Sequence, residues 1–523
     1  MKIIRECSPH ILIVVILGFF FYKLNGISTY RVGDGGEYYA LYYAWLDSLR
    51  PWMTTHSFSA YQSFVEQSQI SGHVSSEWLA QIFPSLRIWD TADFNHFWFY
   101  SFLAFVISIP VHFLGVPIDA HSSFLVLHFT LLLILYFVIY RLYGWQGLVA
   151  LFLMTFLSPM LWYLNKVHTE LFTYAFSLLA VSLIFKTHYF AGSFFLAIAS
   201  TQNPSFAIIA FIPFLYRLVS LRQVPYTFYE LVFAIGTALI VFIHPAYYFF
   251  RYGVPTPQLL TAGASLGSNI SNFYIWLFDP DLGLFPNWPL GAFFVVTSVV
   301  FIGLNKSNVA RLLKRENLFL LIFVLAYFFI NFYAHSSTNN LNSGATRGPA
   351  RYALWYIPIL FPLFLFYFST LCKSKFFYFT TFFVIVFAGW FNFVLSDPRK
   401  GEDYSTPSHL SSFIQTHLSA AYSPPDEVFA EKYSGYGEDI HRHQPLAILG
   451  PDCKKLLIYP TGNRTLITVP STCFKDIPRL REIVNSIAKE RAISQTFYFT
   501  LTEAQQIYST ESPRLLMTPP LDA

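Results

Sequence analysis

The chain has 523 residues, of which 54% are hydrophobic and only 12% are charged. A typical soluble domain carries about 25% charged residues, so this composition excludes an ordinary soluble protein and indicates a chain surrounded by membrane lipids. The net charge of +4 is too small to indicate nucleic acid binding, and no basic stripe interleaved with aromatic residues is present in the sequence. We therefore expect no nucleic acid among its partners.

The apolar runs of the sequence predict a helical membrane protein with about eleven spans, because a helix needs about 20 apolar residues to cross a bilayer. Two of the runs are short and meet at Asn203-Pro204, which predicts broken or re-entrant helices. A further apolar stretch, 97–116, is interpreted as a juxtamembrane helix on the outer face. The predicted spans are 9–27, 121–140, 147–164, 171–186, 189–202, 204–216, 228–249, 289–304, 317–334, 353–371 and 376–396.

The basic residues support this topology. With the N-terminus inside and 97–116 not crossing, every inner loop carries Lys or Arg, as at Arg141, Lys186 and Lys306. Basic residues concentrate in the cytoplasmic loops of membrane proteins, whereas a crossing at 97–116 would place these clusters outside. The sequence therefore predicts a multi-pass protein of the inner (plasma) membrane with a cytoplasmic N-terminus.

The same topology divides the chain into a transmembrane module over 1–396 and an extracytoplasmic domain over 397–523. Within the module, 28–120 forms the first outer loop with its juxtamembrane helices. The tail is polar and contains short β-like runs at 455–459 and 465–469. We expect an α-helical polytopic membrane protein with a small C-terminal α/β domain.

Two cysteines of the tail, Cys453 and Cys473, are candidates for a disulfide. Disulfides persist in oxidising compartments, which is where this topology places the tail. The alternative is that both remain free thiols.

Two carboxylates, Asp34 and Glu37, follow the first predicted span and are framed by three glycines. Carboxylates at the edge of a bilayer are costly unless a cation, a proton relay or a reaction uses them. The glycines allow a ligand to approach the backbone closely. The structural alternative is helix capping, since Asp followed three positions later by Glu is similar to a capping box. We interpret both carboxylates as candidate catalytic residues.

A second polar segment, 165–170, lies between two predicted spans on the same face and contains Lys166, His168 and Glu170. The structural alternative is an interfacial hinge, but three ionisable groups are more than a hinge needs. A carboxylate, an imidazole and a lysine can serve as base, acceptor-orienting group and phosphate clamp. We predict a catalytic role for Glu170 and substrate binding by Lys166 and His168.

A third polar segment precedes the span at 353–371 and contains His335, Arg347 and Arg351. The two arginines are four positions apart and share one face if the segment is helical. The guanidinium fork suits phosphate, whereas the alternative role is snorkelling towards lipid headgroups. Tyr248 and Arg251, at the start of another outer loop, are expected to line the cavity that these outer segments form.

The sequence contains no His-Glu-x-x-His, EF-hand or paired Cys/His spacing, so it supports no particular metal site. A divalent cation therefore has no ligand motif, and no other cofactor is predicted. Walker and dinucleotide motifs are also missing, which gives soluble nucleotide donors no support.

This arrangement resembles the GT-C superfamily, the multi-span glycosyltransferases that use polyprenyl-phosphate-linked sugars. The matching parts are the acidic motif at Asp34 and Glu37, the juxtamembrane helices, Glu170, and a Gly-Leu-Phe-x-x-x-Pro loop at 283–289. The resemblance covers about residues 1–400. The chain lacks the Trp-Trp-Asp-type sequence of the oligosaccharyltransferase branch, and His168 and Glu170 replace the metal-binding Asp pair of that branch. These departures favour single-sugar transferases, such as the mannosyl and aminoarabinose transferases.

The resemblance implies an inverting transfer to a glycan, lipid or protein acceptor, with Asp34 as the general base. It also implies that Arg347 or Arg351 holds the leaving polyprenyl phosphate, with Lys166 and His168 as further candidates. The alternatives are a polysaccharide polymerase or ligase of the cell envelope, a transporter, or a non-catalytic assembly protein. A transporter needs ionisable residues near the bilayer midplane, whereas the carboxylates here cluster at span ends.

Overall fold

A computed structural model describes most of the helical region and four strands of the tail. Three residues singled out from the sequence, Arg347, Cys453 and Cys473, lie outside the described residues. The described residues are 2–27, 34–67, 86–115, 118–261, 273–305, 307, 309, 314–336, 338, 341, 348–403, 405–434, 446–449, 455–458, 466–468 and 497–500.

The described part of the chain is mostly helical, as its composition predicts. The longer helices are Lys2–Asn25, Gly35–Ser48, Thr55–Gln67, Phe99–Phe113, Ala120–Phe156, Thr169–Ile184, Tyr189–Ser200, Ser205–Leu215, Phe228–Tyr252, Pro289–Leu304, Arg315–His335, Phe361–Thr370, Lys375–Leu395, His409–His417 and Asp426–Ser434. Short helical turns lie at Met160–Tyr163, Tyr216–Ser220, Gln258–Thr261, Ile275–Phe278, Leu284–Asn287, Arg351–Leu354, Pro358–Leu360, Leu371–Lys373 and Ser419–Ala421.

Among the described residues, five helical stretches are long and apolar enough to cross a membrane, one of which joins the consecutive short segments between Arg351 and Lys373. They are Ala120–Phe156, Phe228–Tyr252, Asn317–His335, Arg351–Lys373 and Lys375–Leu395. Several shorter apolar helices, among them Thr169–Ile184 and Pro289–Leu304, lie at other predicted spans. In the last of the five, only 17% of the most apolar window is buried inside the protein. A helix that is apolar and yet uncovered needs a lipid environment, so this pattern is typical of a membrane protein.

The longest helix, Ala120–Phe156, is interrupted at Gly144, whose φ of 60° and ψ of −149° are not helical. In a straight helix Leu132 and Phe156 would lie roughly 36 Å apart along the axis. Both instead line one small apolar cavity against the first helix. The chain therefore reverses at Gly144, where a conformation open almost only to glycine is required. Two helical segments result, one for each of the two predicted runs on either side of this glycine.

The chain divides into two compact units. The first consists of Met1–Phe273, Trp288–Asn339 and Arg351–Gly401, and it contains the long apolar helices. The second consists of Tyr274–Asn287, Asn340–Ala350 and Glu402–Ala523. Two segments that lie between predicted spans, Tyr274–Asn287 and Asn340–Ala350, thus belong to the same unit as the tail.

In the second unit, the segment Tyr274–Asn287, which contains most of the Gly-Leu-Phe-x-x-x-Pro motif, is held by hydrogen bonds from its own side chains. The carboxylate of Asp279 accepts hydrogen bonds from the backbone N–H groups of Asp281 and Leu282, both at 2.8 Å. The side-chain amide of Asn287 donates to the carbonyls of Asp281 and Gly283, both at 2.9 Å. A Cβ atom at Gly283 would lie 2.5 Å from the Asp279 nitrogen, so this turn requires glycine.

The second unit also contains a four-stranded sheet. Leu446–Leu449 and Lys455–Ile458 pair antiparallel in its centre, Leu466–Thr468 pairs parallel with the former, and Phe497–Thr500 pairs antiparallel with the latter. Two of these strands lie at the predicted β-like runs. A small core forms where Leu457 packs with Phe429 and Ala430.

Candidate active site

Ionisable side chains from separate parts of the first unit meet around Asp34. Asp34 precedes the helix Gly35–Ser48, and Glu37 lies in its first turn. His168 and Glu170 lie at the start of the helix Thr169–Ile184. Arg351, at the start of Arg351–Leu354, is 317 positions from Asp34 in the sequence and donates to it. His96 joins them from the loop before the helix Phe99–Phe113.

The Asp34 side chain does not cap its helix, although the residue occupies the N-cap position. Its Oδ2 atom instead accepts a hydrogen bond from Arg351 Nη1 at 2.7 Å and lies 3.2 Å from His96 Nε2. The His168 Nε2 atom lies 3.6 Å from the same oxygen. The capping alternative is therefore wrong for the side chain, which points into the cluster and remains 27% exposed.

Gly35 explains how two of these segments come so close. A Cβ atom at this position would lie 2.9 Å from the Val167 carbonyl oxygen, closer than real Cβ atoms approach. The start of the helix Gly35–Ser48 therefore packs directly on the loop that carries His168. This glycine serves packing between backbones, whereas the sequence suggested room for a ligand.

His96 links the two carboxylates of the acidic motif, because its Nδ1 atom lies 2.8 Å from Glu37 Oε2 while its Nε2 atom faces Asp34. Burial alone would lower the pKa of His96, but the charges of Asp34 and Glu37 raise this pKa to about 10. Burial alone would raise the pKa of Asp34, but the positive charges of His96 and Arg351 hold it well below its usual range. The group is therefore charged at neutral pH, with an imidazolium between two acidic side chains.

Sequence reasoning missed His96. It lies 59 positions from Glu37 and belongs to no local motif, so only the path of the chain brings the two together. The one available signal was its position at the end of the first outer loop, immediately before an apolar helix.

His168 and Glu170 form a second buried pair, with both side chains only 1% exposed. His168 Nδ1 hydrogen-bonds to the Glu170 carboxylate, and His168 Nε2 lies 3.2 Å from Arg351 Nη1. A guanidinium can only donate, so Nε2 accepts from Arg351, while Nδ1 contacts both the Glu170 carboxylate and the backbone N–H of Thr169 at 3.1 Å. These contacts fix the orientation of the ring, with Nε2 towards Arg351 and Asp34.

Two histidines of the helix Ala120–Phe156 hold the loop that carries His168. His121 Nε2 donates to Asn165 Oδ1 at 3.0 Å, and its Nδ1 accepts from the Tyr39 hydroxyl at 2.7 Å. His128 Nδ1 donates to the Leu164 carbonyl at 3.1 Å. Because both are buried and hydrogen-bonded, they act as fixed supports for the loop.

Arg351 retains hydrogen-bonding capacity after these contacts. Its Nη2 atom donates to the Tyr352 hydroxyl at 3.1 Å, whereas its buried Nε atom has no hydrogen-bond partner among the described residues. His335 stacks on Tyr352 with ring centroids 4.8 Å apart and meets Trp355 edge-on at 4.5 Å. Within the same described part, His335 Nε2 and Trp355 Nε1 are also buried without a partner. Buried nitrogen atoms in this state suit an anionic ligand.

Three other predicted substrate-binding residues are engaged elsewhere in the first unit. Lys166 Nζ donates to the Pro398 carbonyl at 2.6 Å and lies over the Trp162 ring. The Tyr248 hydroxyl donates to the Phe94 carbonyl at 3.1 Å. Arg251 Nε donates to Asp93 Oδ2 at 2.7 Å.

Asp93 is a further buried carboxylate that the sequence did not single out. It is 3% exposed and accepts hydrogen bonds from Arg251 and from the hydroxyls of Tyr247 and Tyr252. Burial raises the pKa of Asp93 above its ordinary value, although Arg251 and the two hydroxyls act in the opposite direction. The Arg251 guanidinium also lies 4.3 Å over the Trp52 ring. This pair anchors a short antiparallel hairpin, formed by the strands Arg87–Ile88 and Thr91–Ala92, that precedes His96.

Among the described residues, no group of three or more His, Cys, Asp and Glu side chains is arranged to hold a metal ion. Comparisons with family models, with curated proteins and with solved structures found no match for this chain. The resemblance to the GT-C superfamily therefore remains a prediction from the sequence. The geometry around Asp34 has to be interpreted on its own chemistry.

Proposed function

We propose that this protein is a membrane glycosyltransferase. It transfers a sugar from a polyprenyl-phosphate-linked donor to a glycan, lipid or protein acceptor on the outer face of the inner (plasma) membrane. One observation carries the proposal: five side chains that were named from the sequence meet around one carboxylate oxygen and its neighbours. They are Asp34, Glu37, His168, Glu170 and Arg351. Such a cluster offers proton acceptors and an anion-binding cation within one site.

The chemistry follows from the charges. The acceptor oxygen attacks the anomeric carbon, a base in the cluster takes its proton, and the lipid phosphate leaves with inversion. The pKa of Asp34 is held low, so its carboxylate stays ionised and stabilises the positive charge that develops on the sugar ring. Arg351 supplies a preformed positive charge for the leaving phosphate, and fixed charges of this kind lower the barrier. The sequence predicts Asp34 as the base.

The topology is part of the proposal: about eleven spans, a cytoplasmic N-terminus and an extracytoplasmic α/β tail. The basic inner loops, the apolar helices at the predicted spans and the reversal at Gly144 support it. Reporter fusions at Lys306 and Tyr404 should report opposite sides of the membrane. Finding both on one side would contradict the eleven-span topology and the outer location of the site.

The transfer itself is tested with purified protein in lipid nanodiscs. Radiolabelled polyprenyl-phosphate-mannose and polyprenyl-phosphate-glucose are supplied, and release of free polyprenyl phosphate is measured with and without added membrane extract as acceptor source. Consumption of a donor by the wild type, but not by empty nanodiscs or by Asp34→Asn, supports the proposal. If the folded wild type consumes neither donor and deletion of its gene leaves every envelope glycan unchanged, the proposal is wrong.

A further inference from the structure

We infer that His168, held by Glu170, is the group that takes the proton from the acceptor hydroxyl, and that Asp34 serves as its electrostatic partner. This inference rests on the proposed glycosyl transfer and changes the assignment of the base within the same site.

The imidazole of His168 has a fixed orientation. Glu170 binds the Nδ1 side of His168, which leaves the Nε2 lone pair directed towards Asp34 and Arg351. A carboxylate on the far nitrogen of an imidazole fixes its tautomer and stabilises the imidazolium that forms when the near nitrogen is protonated. Burial of both side chains strengthens this interaction, because water does not screen it.

The Asp34 carboxylate lies beside positively charged groups. Its Oδ2 atom faces two cationic groups, Arg351 at 2.7 Å and His96 at 3.2 Å. Positive neighbours stabilise a carboxylate and thereby weaken it as a proton acceptor, in agreement with the lowered pKa of this residue. A general base works best when its proton affinity matches the pH at which the enzyme operates. The surroundings of Asp34 therefore suit a permanent negative charge.

Arg351 connects binding of the donor to the base. Its Nη1 atom serves both Asp34 and His168 Nε2, while its Nε atom has no partner in the described part of the chain. A phosphate oxygen of the donor that accepts from this guanidinium competes with His168 for the Nη1 proton. The lone pair of His168 is then available to the acceptor hydroxyl, so the base becomes active when the donor is in place.

The step balances without a further reactant. The hydroxyl proton moves to His168 Nε2, the acceptor oxygen bonds to the anomeric carbon, and the bond between that carbon and the phosphate oxygen breaks. The electron pair of this bond leaves with the lipid phosphate. The imidazolium formed lies between Glu170 and Asp34, whose Oδ2 atom is 3.6 Å from Nε2. Solvent or the departing phosphate then removes the proton.

The groups that face His168 are few. In the described part of the chain they are Asp34 and Arg351 from other elements, Glu170 and the backbone N–H of Thr169 from its own helix, and the rings of Tyr38 and Tyr163 at 6.3 and 6.0 Å. Behind Asp34 lie His96 and Glu37. Among the described residues that contact His168, Glu170 and Asp34 carry the carboxylates that can stabilise a positive charge on its ring.

The test is chemical rescue of His168→Gly in nanodiscs, with polyprenyl-phosphate-mannose and polyprenyl-phosphate-glucose as donors. We expect the variant to consume donor about 10²–10⁴-fold more slowly than the wild type, the usual effect of losing a general base. Added imidazole should restore part of the rate. With a series of substituted imidazoles, the restored rate should rise with their basicity, which a purely structural loss would not produce.

Two further variants keep the test decisive. His168→Gln retains a donor to Glu170 and should bind polyprenyl phosphate like the wild type, yet transfer at least about a hundredfold more slowly. Asp34→Gly should not be rescued by formate. Two outcomes with an active wild type would overturn this inference and leave the proposed function intact. In the first, His168→Gln keeps more than a tenth of the wild-type rate. In the second, formate rescues Asp34→Gly and imidazole does not rescue His168→Gly. A wild type without donor consumption would overturn the proposed function as well.

Discussion

Two arginine–carboxylate pairs in the first unit have the same contact distance and different surroundings. Arg351 meets Asp34, and Arg251 meets Asp93, each at 2.7 Å. Asp93 is 3% exposed and its carboxylate accepts from three side chains, whereas Asp34 is 27% exposed and its arginine keeps a buried nitrogen without a partner among the described residues. Distance alone therefore does not separate a structural ion pair from a functional one. The two kinds differ in the hydrogen-bonding capacity that remains unused in the pair.

The pKa values of the two carboxylates shift in opposite directions for the same reason. Burial raises both, but at Asp34 the positive charges of His96 and Arg351 outweigh burial, whereas at Asp93 one arginine and two neutral hydroxyls do not. The Asp34 cluster therefore holds a stable charge at a site that solvent reaches. The Asp93 cluster is a buried structural contact between the first outer loop and the helix Phe228–Tyr252.

The largest expected effect comes from removing the charge at Asp34. Asp34→Asn should lower donor consumption by about 10²–10³-fold, because the variant cannot stabilise the positive charge that develops on the sugar ring and on His168. The protein should still fold, since the side chain makes no capping bond that holds the helix. The measurement is donor turnover per folded protein in nanodiscs. The matched control is Asp93→Asn, which should stay within about threefold of the wild type when corrected for the folded fraction. Equal losses in both variants would erase the distinction between the two pairs.

The next effect is on stability and belongs to the other pair. Asp93→Ala leaves Arg251 buried without its partner, and breaking a buried ion pair in this way costs roughly 3–5 kcal/mol. We expect a lower thermal unfolding temperature in detergent and a lower yield of folded protein. Asp34→Ala, at the more exposed pair, should change the unfolding temperature less. The opposite ranking would mean that the Asp34 cluster is the structural one.

A smaller effect is expected from exchanging the arginine forks for point charges. Arg351→Lys keeps the charge but loses the planar set of donors that suits phosphate. We expect the KM for the polyprenyl-phosphate-linked donor to rise about 10–100-fold, in line with the loss of one charge-assisted hydrogen bond. Arg251→Lys is the control and should leave this KM unchanged while lowering the unfolding temperature. An unchanged KM in Arg351→Lys would remove Arg351 from the donor site.

The smallest effect concerns pH and His96. The pKa of its imidazole is raised from 6.5 to about 10 in the folded protein, so its ionic contacts contribute fully below about pH 6.5 and are lost as the pH rises through about 10. Asp34 has the opposite pH dependence, because its pKa is lowered. The contribution of its ionised carboxylate to folding stability is lost only as the pH falls below the ordinary pKa range of an aspartate. The unfolding temperature of the wild type should therefore fall more between about pH 7 and pH 11 than that of His96→Gln. Parallel curves for the two proteins would contradict the assigned charge of His96.

The parts of the site that the sequence predicted are those with local motifs. Asp34 and Glu37 stand out because charged residues are rare beside a long apolar run, and Glu170 and His168 stand out for the same reason. Their neighbour Lys166 satisfied the same rule and yet donates to the Pro398 carbonyl. Arg251 likewise has the right residue type and a different partner. Local sequence shows which residues are unusual, but it does not show which of them meet.

The amino-acid sequence was sufficient to predict a helical membrane protein and the places of most of its helices, because apolar runs of sufficient length have few other stable states in lipid. It also determined the break at Asn203-Pro204 and two strands of the tail. Three contacts became visible in the tertiary structure. His96 joins Asp34 to Glu37, and Asp93 pairs with Arg251. Arg351 reaches both Asp34 and His168. These contacts join segments 59 to 317 positions apart. Helix packing sets such contacts, and the spacing of residues along the chain does not encode them.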